Sequence, residues 1–344
     1  MAEESIFQVF EPYYLGSLKL KNRFVMAPMC MYSAKDDGLA TDFHDNHYLT
    51  RAIGGVALII LEATSIEEIG RISEQDLGIW NDKQRDRLKL LVNKLHQADS
   101  KVGIQLAHAG RKYGGSIGQA VAPSSIAFNE KSQKPHELSK NEIKSLVNKF
   151  TESAIRSEEA GFDLIEIHAA HGYLIHQFLS PLSNKRHDHY GGSLQNRVRF
   201  LKEILKEVRN NISKKVSISV RVSASDYCDG GINCDDMVAI INEIKEYIDI
   251  VHVSSGGLIN VPIKIYPGYQ VNFAAKIKDG CNIPTIAVGM LDNIDLAEEI
   301  IGNDRSDLIA LGRELLRKPY YVLNQARKNN QAFNYPKQYE RSFK

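Results

Sequence analysis

Short apolar runs alternate with longer amphipathic segments along almost the whole chain. The runs occupy 24–29, 56–61, 102–106, 164–168, 216–222, 248–253, 285–288 and 308–311. They are nearly continuous in apolar residues, as strands buried on both faces are, and do not alternate as half-exposed strands do. Between them, apolar positions recur three and four residues apart over 83–95, 142–158, 196–208 and 235–247, a spacing that predicts amphipathic helices. Ser139 stands three residues before Glu142, so each side chain can satisfy a backbone N–H of a first helical turn, which places a helix start there. Eight strand-then-helix units predict an α/β fold, a parallel (β/α)8 TIM barrel. A doubly wound sheet is the weaker reading, because no Gly-x-Gly-x-x-Gly follows the first strand. Residues 13–21 read as a short N-terminal hairpin able to plug the barrel bottom. The stretch 107–140 holds an extended loop that shapes the opposite, active-site end.

Composition narrows the class. The chain has 344 residues, 43% hydrophobic and 25% charged, which is ordinary for a globular protein and compatible with one barrel domain spanning 1–344. A formal net charge of +1 gives no general attraction to nucleic acid or to an anionic membrane. No run of eighteen apolar residues is present to span a bilayer. The start, MAEESIFQVF, lacks the basic-then-apolar pattern of a secretory leader. The cysteines, Cys30, Cys228, Cys234 and Cys281, form no Cys-x-x-Cys pair, which argues against zinc and iron–sulfur sites. Scattered thiols fit a reducing cytoplasm.

A TIM barrel carries its chemistry at the C-terminal ends of its strands. There the chain has Ala27-Pro28-Met29-Cys30-Met31-Tyr32, Gln105 followed by His108-Ala109-Gly110-Arg111, and His168 through Tyr173. Arg221 lies inside an apolar strand, and Gly289 and Gly312-Arg313 end the last two. Glycine turns after strands seven and eight suit a phosphate, with Arg313 as a planar cation beside it; two ordinary strand-to-helix turns are the plain alternative. His168 and His171 can aim two imidazoles at one point, either to hydrogen-bond a carbonyl oxygen that gains charge, or to bind a metal with His176 or Glu166. A lone histidine in such a place often only caps a loop. A buried Arg221 needs an anion, which is either a neighbouring carboxylate or a charged cofactor. Cys30 is either a small buried apolar residue or a thiol beside a cofactor.

These residues resemble the old yellow enzyme family. The likeness runs from Leu20-Lys21-Asn22-Arg23-Phe24 and Ala27-Pro28-Met29, through Gln105, His108–Arg111 and His168–Tyr173, to Arg186-His187-Asp188-His189-Tyr190-Gly191-Gly192-Ser193, its most specific part. It continues through Asn196-Arg197, Ser254-Ser255-Gly256, Gly289 and Leu311-Gly312-Arg313 to Pro319. Cys30 with Tyr32, the paired histidines, and the ending Tyr339-Glu340-Arg341 are similar to the bacterial thermophilic-like subgroup. The resemblance implies non-covalent FMN, touched by Pro28, Met29, Cys30, Ala63 and Gln105, with Arg221 near N1 and O2 and the phosphate at Gly289, Gly312 and Arg313. It implies an NADPH or NADH dehydrogenase that passes hydride through flavin N5, in ping-pong fashion, to the C=C bond of an α,β-unsaturated carbonyl compound. In that role His168 and His171 hold the carbonyl oxygen, Tyr32 orients the substrate, and Tyr173 or water supplies the proton. It also implies a homodimer or homotetramer whose tail, 330–344, is exchanged so that Arg341 reaches a neighbouring active site. The competing functions are a metal-dependent hydrolase, a flavin-binding barrel without catalysis, and a barrel similar to dihydroorotate dehydrogenase.

Overall fold

The computed structural model describes residues 7–342. Residues 1–6, which carry most of the N-terminal stretch read above, and the last two residues of the tail lie outside that range. The chain opens with a hairpin, β1 (Tyr13–Leu15) against β2 (Leu18–Leu20), paired antiparallel. Eight parallel strands then close into a barrel: β3 (Phe24–Met26), β4 (Leu58–Ser65), β5 (Lys101–Ala107), β8 (Leu164–Ala169), β9 (Ser217–Ser223), β10 (Ile250–Ser254), β11 (Thr285–Val288) and β12 (Leu308–Leu311). β12 pairs with β3 to complete the ring. β6 (Val121–Ala122) and β7 (His136–Glu137) make a two-stranded sheet inside the 107–140 stretch.

The helices fill the expected intervals: α1 (Asp42–Ile53), α2 (Asp82–Gln97), α3 (Lys140–Ala160), α4 (Leu174–Leu179), α5 (Leu194–Asn211), α6 (Cys234–Ile244), α7 (Val271–Cys281), α8 (Ile294–Gly302), α9 (Arg313–Arg317) and α10 (Tyr321–Lys328). The capping box at Ser139 and Glu142 is formed and starts α3 two residues ahead of the apolar pattern. α3 buries Ile143, Leu146, Val147 and Phe150 on one stripe, the three-and-four spacing that marked it as a helix.

At the N-terminal end of the barrel, Leu15, Leu18 and Leu20 of the hairpin pack with Leu58, Leu164, Ile250, Ile286 and Leu308 in one apolar cluster. These come from five strands and share the barrel interior, so the hairpin closes that end. The chemistry is thereby confined to the other.

Most strand ends fall within two residues of the pattern-based expectation, and two differ by more. The first strand stops at Met26, because the chain turns away at Ala27-Pro28 and a proline has no N–H for a ladder. The second runs on to Ser65 past Glu62, with a bulge between Leu61 and Ala63. Glu62 ended the apolar run, yet it is fully buried, its carboxylate held by the Met31 N–H (2.8 Å) and the Tyr48 hydroxyl (3.0 Å).

Candidate active site

Inside the barrel, buried polar groups begin one layer above the plug. Glu166 on β8 accepts from Gln105 Nε2 of β5 (2.8 Å) and Ser219 of β9 (3.1 Å), and contacts His252 Nδ1 of β10 (2.9 Å). β8 and β10 are not neighbours, so this cluster lies across the interior. Two residues further along the same faces come His168 and Arg221. Arg221 is 8% exposed; one of its terminal nitrogens donates to the Pro28 carbonyl (3.4 Å) and its Nε is buried without a partner. Glu166 is its main attractive charge, but no carboxylate lies within salt-bridge distance of it among the described residues. The plain ion-pair explanation for this arginine therefore does not hold.

His168, next to last in β8, has its Nδ1 accepting the Ala170 N–H (3.3 Å), which places the proton on Nε2. His171 adopts a left-handed backbone, φ 56°, with its N–H on Ser223 Oγ (2.9 Å) and its Nε2 paired with Ser254 Oγ (2.8 Å). Gly172 has to be glycine, since a Cβ there would stand 2.3 Å from the Gly257 carbonyl. The two imidazoles sit 5.3 Å apart, edge to face, and the Tyr173 ring lies 4.9 Å from His168. Burial, reinforced by the Arg221 charge, holds both histidines well below the usual histidine range, so they are neutral donors at physiological pH. Burial pushes the Tyr173 phenol up, which keeps its proton on. His176 is turned away: its Nδ1 accepts the Gly172 N–H and its Nε2 faces Asp226 at 3.0 Å. Among the described residues no three His, Cys, Asp or Glu are placed to hold a metal ion.

On the facing side, Tyr32 is 53% exposed with φ 50°, standing at the mouth. Cys30 is half-buried near the Ala63 backbone, and burial pushes its thiol up to about 12, so it acts as a thiol and not a thiolate. A cleft of about 420 Å³ opens from Arg221 and Ser254 towards Gly289, Gly312 and Arg313. Gly289 has φ 126° and packs against Gln270, whose amide is fixed by the Val288 carbonyl (2.8 Å) and the Ser255 hydroxyl (2.5 Å). Arg313 is exposed and forms no salt bridge among the described residues.

The sequence profile of the NADH:flavin oxidoreductase / NADH oxidase family matches residues 8–331. An NADPH dehydrogenase of Clostridium acetobutylicum is 56% identical over 337 residues, covering 98% of this chain and 99% of that one. One from Bacillus subtilis is 49% identical over 338 residues, at 98% and 99% coverage. The solved structure of morphinone reductase superposes with a TM-score of 0.81 at 26% identity, covering 96% of this chain and 92% of the other. The chain belongs to the NADH:flavin oxidoreductase family. It is an oxidoreductase that works with FMN and a reduced nicotinamide nucleotide, the family also known as old yellow enzymes.

The residues present fit that cofactor. Arg221 offers an unpartnered buried N–H, and Gln270 and Ser254 offer polar groups along the cleft. At the far end of the cleft the backbone at Gly289 and Gly312 joins Arg313, which has no salt bridge among the described residues, a chemistry suited to one phosphate. Met29 reaches the same region, its sulfur 3.5 Å from where a Cβ on Gly312 would stand.

The family's Arg186–Ser193 run has a structural role here. Arg186 pairs with Asp188 (2.7 Å) and donates to the Pro123 (3.0 Å) and Leu138 (2.6 Å) carbonyls, tying the 107–140 segment to the loop before α5. Arg341 is not brought to the cleft within one chain. It is exposed in a short helical turn, Glu340–Ser342, beyond Tyr339, whose ring meets Tyr320 at 6.3 Å. The pattern of the sequence did not single out Glu62, Lys112 and Gln270, and gave Ser254 no role. Each is a polar residue whose partner lies far away in the chain.

Proposed function

We propose that this enzyme reduces the activated C=C bond of α,β-unsaturated carbonyl compounds, taking nicotinamide and enone in turn at one site. When bound, FMN would supply the hydride-transfer chemistry, with Arg221, Gly289, Gly312 and Arg313 as the residues that would hold it. The observation that carries the reading is the neutral His168–His171 pair beside Tyr173, facing the Arg221 cleft. His168 Nε2–H is one donor. When the Ser254 hydroxyl donates to His171 Nε2, the proton of that ring sits on Nδ1, giving a second donor. Two aimed donors stabilise the charge that builds on a carbonyl oxygen as its β-carbon gains hydride. Neutral imidazoles suit this role, since they donate without adding a second cation beside Arg221. Tyr173 keeps its proton for the α-carbon, with water as the other possible source. Tyr32 orients the substrate from the rim, and Arg221 supplies fixed positive charge that favours the electron-rich state of the cofactor. The Cys30 thiol tunes the cofactor as a weak, uncharged donor.

The test is anaerobic. NADPH bleaches the yellow protein, and 2-cyclohexenone restores the colour with cyclohexanone as product. Bleaching without recovery by any enone rejects the reading. The wider reading is a cytoplasmic homodimer or homotetramer that exchanges the 330–344 tail, so that Arg341 completes a neighbouring site. Deleting 336–344 then weakens both self-association and substrate binding; a truncation that alters neither, by sedimentation and by KM, removes the tail from the mechanism.

A further inference from the structure

A buried imidazole and carboxylate that the chemistry above does not use meet where α4 joins the loop after β9. His176 lies in the first turn of α4, and Asp226 lies three residues past the end of β9. They are 0% and 1% exposed, with Nε2 and Oδ1 3.0 Å apart. We propose that His176 and Asp226 are a positioning pair for the turn that carries His171 and Tyr173, Asp226 fixing the His176 tautomer that accepts the Gly172 N–H. The proposal rests on the reading above, that His171 holds the substrate oxygen.

The turn has a conformation that the chain does not favour. His171 and Gly172 are both left-handed, at φ 56° and 74°, and only the second is a glycine. Each amide of the turn has its own acceptor: Ser223 Oγ for His171 (2.9 Å), His176 Nδ1 for Gly172 (2.9 Å) and the Ala170 carbonyl for Tyr173 (3.2 Å). A hydroxyl or carbonyl oxygen always keeps a lone pair to offer. An imidazole nitrogen accepts in one tautomer and donates in the other, so the middle anchor alone can fail without moving an atom. It requires the His176 proton on Nε2, and Nε2 is the nitrogen that faces Asp226. Asp226 is suited to hold that proton in place. Burial alone would raise its carboxyl, but His176, the Ile232 N–H (2.8 Å) and the Ser180 hydroxyl (2.7 Å) keep it below the usual carboxylate range. Both of the latter donate to Oδ2, which leaves Oδ1 to the imidazole. Gly231 lets the loop close over this carboxylate, since a Cβ there would stand 2.9 Å from Oδ2.

The decisive variant is Asp226→Asn. The Ile232 N–H cannot turn round, so the asparagine oxygen takes the Oδ2 place and its NH2 faces His176 Nε2. That nitrogen must then accept, the proton moves to Nδ1, and two donors meet at Gly172. The measurements are ¹⁵N-histidine NMR of the FMN-loaded enzyme, which tells the two tautomers apart, and phenol titration of the flavin spectrum. Asp226→Asn is expected to show the Nδ1–H tautomer at His176 and to bind phenol at least ~10-fold more weakly, with FMN retained. Asp226 is also an attractive charge for Arg111, so a second substitution separates charge from tautomer. In the double variant Asp226→Asn with His176→Asn, the oxygen of residue 176 accepts the Gly172 N–H whatever stands at 226, and phenol affinity should return. A tautomer that does not flip, a flip with parental phenol binding, or a double variant no better than Asp226→Asn overturns the pair. Should Asp226→Asn not fold, His176→Asn with near-parental affinity against His176→Leu at least ~10-fold weaker supports the pair, and equal affinities overturn it. The predicted phenol responses in an enzyme that no enone reoxidises would support the pair and reject the ene-reduction reading instead.

Discussion

The two ends of this barrel are built from the same eight strands and hold opposite chemistry. At the base, three leucines of a hairpin meet leucines and isoleucines of the strands with no buried charge among them. At the mouth, two to four residues further along β8 and β10 and on the adjoining β5 and β9, stand Glu166, His168, Ser254, Gln105 and Arg221, all buried. Burying such groups costs several kcal/mol each unless they are paired. The mouth nevertheless leaves Arg221 Nε and His252 Nε2 without partners among the described residues, whereas at the base the one such group near the hairpin is Arg23 Nε, over the Tyr13 ring. The base therefore stabilises a vessel whose other end is held in a costly arrangement suited to a charged cofactor and a substrate oxygen.

The sharpest test of that division removes both imidazoles. His168→Ala with His171→Ala should retain FMN and fold normally, yet lose phenol binding and about 10³-fold of enone turnover, roughly 4 kcal/mol of transition-state stabilisation. Phenol titration of the flavin spectrum and steady-state rates decide it; unchanged values would mean that the mouth is not where the chemistry happens. At the other end, Leu20→Ala should lower unfolding stability by about 2–5 kcal/mol, as buried leucine truncations do, and leave kcat/KM alone. A denaturant melt that does not move, or a rate that falls in step with stability, would blur the boundary between the two ends.

Between the two ends lies Glu62, which burial pushes up to about 7. A carboxyl whose folded pKa exceeds its unfolded value takes up a proton on folding. Its contribution is therefore most favourable below about pH 4.5 and is lost as pH rises towards 7. Glu62→Gln should flatten that part of the stability–pH curve; a variant with the parental slope assigns the slope to other groups. The smallest effect is expected at Cys30. Cys30→Ala should keep FMN and fold while shifting the midpoint potential by a few tens of millivolts at most, on the order of 1 kcal/mol. An unshifted potential would make it simple packing.

The strands were legible because burial on both faces writes itself as an apolar run, and 285–288 and 308–311 match β11 and β12 to the residue. The candidate site was legible where a polar residue or a glycine interrupts or ends an apolar run, as with Arg221 inside β9, His168 near the end of β8 and Gly312 after β12. What the pattern hides is any role that depends on a distant partner. Glu62 reads as the end of a strand because its hydrogen-bond donors, Met31 and Tyr48, are thirty-one and fourteen residues away. Lys112 sits in a polar loop and reads as solvated, although its ammonium clasps two carbonyls from the β8 and β10 ends. The short β6–β7 sheet leaves no signal, because two-residue strands are too brief for any periodicity.

The sealed base also governs traffic. A vessel with a single opening has no through-flow: whatever enters last must leave first. On the proposed reading, spent nicotinamide and incoming enone pass through the same doorway, flanked by Tyr32 and Tyr173, and neither waits inside while the other reacts. An excess of either becomes an obstruction to its counterpart. On that reading turnover should peak at a balanced ratio of the two and decline on both sides of it.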